Sequence, residues 1–320
     1  MTRNTFSCPN CKKRRYNKLF SVKIPASDLF GLFRCQHCQL VTTFPFLHNR
    51  KLYSKYYANY RSLTSGQRFP QPIDFLMKIW RYLRAWRIQK WAKKGPVLDV
   101  GCGQATELTI LKKFGVRVYG LEYDKGYAQK ISESTGIPIF YRSLININKQ
   151  RTGFTLISFM HSLEHIPQSL KYLKKIHKLL ASHGYLFISV PNFASLERRL
   201  FDDKWFHLDL PRHLYHFSKE WLVVFLEKQG FELVWQKNIA PEYDFFSLMQ
   251  STLNRIFPTQ PNLLYLILLR EERKNPQQYI VLIPQLPFIL LLAILSLPIT
   301  MFLWLIGGSG TIELVFQKRR

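Results

Sequence analysis

The chain has 320 residues, 47% of them hydrophobic and 15% aromatic, and a formal net charge of +26. That length can bury a large core, and the composition excludes a disordered or low-complexity protein and shows no internal repeat. A surface this basic excludes cationic partners and suits nucleic acid, anionic lipid or phosphorylated substrates, among which charge alone does not choose.

The N-terminus, MTRNTFSCPN, has no apolar run of the kind that leads a secreted protein, so a cytosolic core is expected. Four of the five cysteines then form two CxxC knuckles, Cys8/Cys11 and Cys35/Cys38. Such spacing suits a tetrahedral site of four thiolates, and structural zinc is the expectation over disulfides in a reducing compartment. Strand-like runs at 19–24 and 29–33 lie between the knuckles, and His37 is expected to be a bystander. A tyrosine-rich segment follows (Tyr53, Tyr56, Tyr57, Tyr60), read as packing of this ribbon onto the rest or as a lid. Residues 68–94 predict an amphipathic basic helix, its tryptophans expected to face the core, with lipid contact as the alternative.

The segment Pro96 to Asp124 is the most informative. An apolar strand, Val97-Leu98-Asp99-Val100, enters a Gly101-Cys102-Gly103 turn, a helix runs to Phe114, and a second strand ends at Leu121 before Glu122. Strand, tight turn, helix, strand and an acid about twenty residues past the turn form the layout of a nucleotide cofactor site. The glycines allow close backbone approach, and the acid can hold ribose hydroxyls. Ala105 stands where a third glycine would fall and is expected to keep helical dihedrals. A strand at 154–159, a helix at 169–180, a stop at His183-Gly184 and a strand at 185–190 ending in Pro191-Asn192 continue the α/β alternation.

D-V-G-C-G-x-A at 99–105 resembles motif I of the class I S-adenosylmethionine (SAM) methyltransferases. Met160-His161-Ser-Leu-Glu164-His165-Ile resembles the stretch after that family's fourth strand, and Trp205 to Phe217 (WFHLDLPRHLYHF) its late loop. The Cys-rich start, with Cys38-Gln39-Leu40 and Pro45, is similar to methyltransferases of bacterial glycan assembly. The resemblance implies an α/β Rossmann-like class I methyltransferase sheet, with an N-terminal zinc ribbon and an apolar helical insert before the last strand. It implies SAM held by Asp99, Gly101, Cys102, Gly103, Glu122 and Met160, without the usual acid for adenine at Tyr141-Arg142-Ser143. His161, His165 and His213 are candidate bases, and Arg212 and His216 candidate acceptor contacts. Ubiquinone-biosynthesis O-methyltransferases resemble 161–165 with E-x-x-E-H, a divalent-metal set in which His161 replaces the first Glu.

From Ile280 to Ile306 no residue is charged, Pro284, Pro287 and Pro298 interrupt the run, and basic residues lie on both sides (Arg270, Arg273, Lys274; Lys318, Arg319, Arg320). The family closes its sheet with a strand hairpin, here 231–238 and 311–317. The insert between those strands must therefore return to the sheet, which predicts a hairpin or interfacial helix pair dipping into one leaflet, joined through 263–269. A buried helical pair and a single span are the competing readings.

The expected organisation is a zinc-ribbon segment with its Tyr-rich tail at 1–60, a SAM-binding core at 61–240, an apolar membrane-associating insert at 241–310, and the last strand with a basic tail at 311–320. The expected function is SAM-dependent methyl transfer to a sugar or lipid-linked small-molecule acceptor at the cytoplasmic face of an anionic membrane, with nucleic acid not expected. An RNA methyltransferase and an inactive methyltransferase-like scaffold are the alternatives.

Overall fold

The computed structural model describes residues 6–23, 29–46, 71, 73–93, 95–141, 143–147, 153–259, 261–268 and 276–319. In chain order, β1 (Tyr16–Lys23), β2 (Leu29–Cys35) and β3 (Val41–Phe44) precede the long helix α1 (Ile73–Ala92). The core follows as β4 (Val97–Val100), α2 (Thr106–Lys113), β5 (Val118–Leu121), α3 (Lys125–Thr135), β6 (Ile139–Phe140), β7 (Phe154–Met160), α4 (Ser169–Leu179) and β8 (Leu180–Pro191). Then come α5 (Leu196–Phe201), β9 (Tyr215–His216), α6 (Lys219–Glu227), β10 (Phe231–Lys237), α7 (Pro241–Ile256), α8 (Leu263–Leu268), α9 (Pro276–Leu282), α10 (Leu286–Leu305) and β11 (Thr311–Lys318). The tyrosine-rich segment lies outside the described residues.

One sheet has seven strands in the order β10-β11-β8-β7-β4-β5-β6, parallel from β8 to β6, with β11 antiparallel to both neighbours. The antiparallel β10–β11 hairpin closes the sheet as the resemblance implies. Its central strands are apolar on both faces because helices cover both, and Leu98, Val100, Ile157, Phe159, Leu186 and Ile188 are fully buried. The chain leaves β4 toward β5 and returns on the other side at β7, so a crevice opens at the carboxyl ends of β4 and β7.

The second sheet was legible only in part. β1, β2 and β3 form the ribbon, but a fourth strand, β9, joins them from the late loop, pairing Val41 with His216 and Thr42 with Tyr215. The indole N–H of Trp221 donates to the Cys38 carbonyl at 2.9 Å, and the Thr43 hydroxyl to the His213 carbonyl at 2.6 Å. The ribbon is thereby fixed against the crevice.

Four expectations need correction. The helix ends at Leu179, and Gly184 lies within β8, where the register jumps from Phe154 opposite Leu180 to Leu156 opposite Tyr185. Ala105 is left-handed (φ 53°), because the chain must turn sharply from Gly103 into α2, a strain of about 1–2 kcal/mol for a residue with a Cβ. The tryptophans of α1 do not all face the core: Trp80 and Trp86 are exposed, while Asp74, Arg84, Ala85, Ile88 and Ala92 form the buried face. Finally, the apolar run is less interrupted than its prolines suggest: Pro284 lies in a 3-10 turn, Ile283–Gln285, that joins α9 to α10. Pro287 sits in the first turn of α10, where its missing N–H has no partner to lose, and Pro298 is accommodated within it.

A helix hairpin is formed by α7 and α10, and Leu264 and Leu268 of α8 pack with it. Near its root the Trp304 indole N–H donates to Asp244 at 2.8 Å, and toward its tip Phe257 meets Phe288 edge-on at 5.4 Å between centroids. The reading of the apolar run as a buried pair does not hold, since Leu290 is 70% and Ile294 73% exposed. Tyr279–Leu305 is the one helical stretch among the described residues long and apolar enough to cross a membrane.

Candidate active site

A cavity of about 1290 Å³ fills the crevice and extends beyond it, larger than the ~300–1000 Å³ usual for a single small-molecule ligand. At one end the turn after β4 brings Asp99, Gly101, Cys102, Gly103 and Glu122 to its wall, with Met160 and His161 from the end of β7. Gly101 has φ +75°, and a Cβ there would stand 2.6 Å from that of Ser162. Only glycine fits between the two loops that flank the crevice. Glu122 follows β5 and accepts from the Gly103 N–H at 3.2 Å and the Tyr123 N–H at 2.8 Å, which aims its carboxylate across the glycine turn. Asp99 is buried and accepts from the Ser158 hydroxyl at 2.8 Å; burial pushes its carboxyl up to about 7.

The middle of the cavity is rich in histidine. Glu164 is buried with neither carboxylate oxygen hydrogen-bonded, and burial pushes it up to about 8. His213 donates from Nδ1 to the His207 carbonyl at 2.8 Å, which leaves Nε2 pointing toward Glu164 at 4.0 Å and Asp209 at 3.6 Å. Burial, and then neighbouring His165, holds His213 well below the usual imidazole range, so His213 and Glu164 are close but are not an ion pair. His165 Nδ1 lies 3.2 Å from the Arg212 carbonyl and its ring meets that of His213 edge-on at 4.5 Å. Ligand atoms of Glu164, His165 and His213 all fall within 4.8 Å of one another. A buried carboxyl beside two imidazoles is a donor set that fits a divalent cation. His213, which the late loop brings in, is remote in sequence from the 161–165 pattern.

The remaining sequence-derived residues divide. Arg212 lines the cavity, and Nε and Nη2 both bond Asp209 Oδ1, at 2.9 and 2.7 Å. His216 does not line this cavity: it is buried behind the wall with Nε2 2.9 Å from the Thr43 hydroxyl, where it joins ribbon to core. Sequence reasoning missed His207 and Tyr243. His207 lines the wall, lowered to about 4 by burial, and the Tyr243 ring lies 3.8 Å from that of His161. It also missed a buried cation, Arg84 of α1, which bonds Glu107 at the start of α2 and Glu242 at the start of α7. No local signal marks it, since an arginine in a basic helix reads as solvated.

The far end of the cavity is apolar, walled by Phe245, Phe246 and Met249 of α7, Leu264 and Leu268 of α8, and Ile289 and Ala293 of α10. The ribbon closes another side with Phe6, Pro9, Phe44 and Phe46. Its four cysteines are all free thiols, with Cys8–Cys38 and Cys11–Cys35 sulfurs 3.5 Å apart. That is far beyond the ~2.05 Å of a disulfide. It approaches the ~3.8 Å edge of a tetrahedron with Zn–S distances of about 2.3 Å.

A family model described as a methyltransferase domain matches residues 67–236. The chain belongs to the methyltransferase-domain family. It carries a class I SAM-dependent methyltransferase domain. This methyltransferase is 32% identical over 106 residues to a ubiquinone biosynthesis O-methyltransferase of Actinobacillus pleuropneumoniae serotype 7 (strain AP76), covering 30% of the chain and 45% of the relative. It is 31% identical over 101 residues to that of Coxiella burnetii (strain Dugway 5J108-111), covering 30% and 43%. The matched parts thus span less than half of those curated relatives. Among solved structures, it is similar to the 1,6-didemethyltoxoflavin-N1-methyltransferase of Burkholderia thailandensis, crystallised with 1,6-didemethyltoxoflavin and S-adenosylhomocysteine (TM-score 0.49, 13% identity, 94% of this chain and 99% of that one). It is also similar to a SAM-dependent methyltransferase of Archaeoglobus fulgidus (TM-score 0.44, 17% identity, 74% and 94%).

Proposed function

We propose that this methyltransferase passes the SAM methyl group to an acceptor that carries a long apolar chain, a lipid-linked sugar or polyprenyl-type lipid, at the cytoplasmic face of a membrane. One observation carries the reading: a single cavity runs from Gly101 and Glu122 to the apolar residues of α7, α8 and α10. The name of the curated relatives, ubiquinone biosynthesis O-methyltransferase, supports an acceptor of this type. Asp99, Gly101, Cys102, Gly103 and Met160 line the methionine end of SAM, and Glu122 takes its ribose hydroxyls. SAM supplies the leaving group, so the protein needs to align the acceptor and take up its proton.

His161 is the favoured base, because His165 and His213 converge with Glu164 as ligands. A divalent cation bound there would lower the pKa of an acceptor hydroxyl. Asp209 holds the Arg212 guanidinium, which remains beside the cavity to receive an anionic group of the acceptor. The ribbon holds structural zinc and, through β9, keeps the late loop in place. Its segment, with the Tyr-rich tail, spans 1–60, the cofactor core 61–240, the membrane-associating insert 241–310 and the closing strand 311–320.

The test is transfer of labelled methyl from SAM in the presence of a membrane lipid extract or of water-soluble nucleotide sugars. Label should enter the organic phase. Label confined to the nucleotide sugars would overturn the acceptor reading.

A further inference from the structure

Helix α1 is built inside out for a soluble protein. Phe75, Ile79, Tyr82 and Trp86 recur at helical spacing, form one stripe, and are all exposed, Phe75 to 59% and Trp86 to 58%. With Leu76 and Trp80 the apolar arc covers ~160° of the helix at 100° per residue. The opposite face is buried, yet holds Asp74 and the Arg84 ion pairs. A contiguous exposed patch of large aromatics marks a contact surface.

Three observations identify what covers it. Leu76 and Trp80 of α1 and Ala293 of α10 are at once exposed and part of the cavity wall, so the mouth lies between two helices that both turn apolar side chains outward. Lys78, Lys90 and Lys93, in or just after this helix, are exposed in a chain of net charge +26, Lys78 paired with Asp74 and Lys90 and Lys93 lying over the rings of Trp91 and Tyr185. Tryptophan and tyrosine beside lysine on one helix suit the headgroup region of an anionic bilayer.

The geometry points to α1 as a second membrane-contacting element: α1 and α10 together seat the cavity mouth on an anionic bilayer, from which the acceptor's chain slides in between them. The entry route rests on the acceptor reading above, whereas the membrane contact of α1 is tested without acceptor or turnover. Full-length protein is mixed with phosphatidylcholine vesicles containing phosphatidylglycerol, with and without brominated acyl chains. Brominated lipid should quench wild-type emission, and the quenched part should shrink in Trp86→Phe. Phe75→Glu/Trp86→Glu, whose residues line neither the cofactor end nor the cavity wall, should bind these vesicles about tenfold more weakly and keep its SAM affinity. Three results would overturn the assignment. One is vesicle binding with Trp86 unquenched, another is unchanged binding by the double variant. The third is a concentration-dependent dimer without lipid that the double variant abolishes, which would mean that a second copy covers the stripe.

Discussion

Replacing Arg84 with methionine should be among the most damaging single changes outside the cofactor turn. Arg84 is 1% exposed and pairs with Glu107 and Glu242, themselves largely buried, so it ties α1, α2 and the root of the α7/α10 hairpin together. Burial alone would raise Glu107, but Arg84, then Arg81, outweighs it and holds the carboxyl below its usual range. Methionine fills the space and leaves two carboxylates facing one another without a cation. Breaking a buried pair in this way costs about 3–5 kcal/mol, which in a chain of this size lowers the melting temperature by roughly 5–10 °C. The pH dependence is diagnostic. In the wild type the depressed pKa of Glu107 contributes stability above its unfolded value, about 4.3, and loses it as pH falls. In Arg84→Met burial acts on Glu107 without its main cation and raises it, so the penalty is small near pH 5 and grows toward pH 8. Thermal and denaturant unfolding at both pH values checks this, and adding Glu107→Gln and Glu242→Gln should restore most of the loss. A cost below about 1 kcal/mol, or one independent of pH, would refute the reasoning.

Glu197 gives a second pH signature: burial pushes it up to about 7, although the hydroxyl of Ser247 and the indole of Trp205 bond it. A raised carboxyl pKa means stability that falls as pH rises from about 4.3 through 7, so Glu197→Gln should gain on the wild type across that window, by up to about 3 kcal/mol; parallel pH profiles would contradict this. Cys8→Ser/Cys11→Ser should release zinc and loosen β1–β3 together with the late loop, measured as zinc content and proteolysis, while a folded, zinc-free wild type would end that assignment. Arg212→Ala should weaken acceptor binding and spare SAM, whereas an equal loss of both would mean that it only holds the loop.

What could be read from the sequence was local. β4, the glycine turn and Glu122 lie within 26 residues of one another, so their spacing alone constrains the crevice. Pairing of Val41 with His216 spans the whole core, and no local pattern announces it. For the same reason His216 read as an acceptor contact and His213 was not seen as a partner of Glu164. In α1 the aromatics read as a core stripe because periodicity reports that two faces differ, not which one faces inward. The apolar run read as interrupted because proline disfavours a helix interior, yet Pro287 falls in the first turn of α10 and Pro298 is accommodated within it.

Calorimetric titration of SAM, and of S-adenosylhomocysteine, into full-length protein in detergent tests the central claim most directly. Both should bind in the micromolar range, and Glu122→Ala, which removes the proposed ribose contacts, should weaken both about a hundredfold. No binding by folded, zinc-loaded wild type, or binding unchanged in Glu122→Ala, would contradict the account.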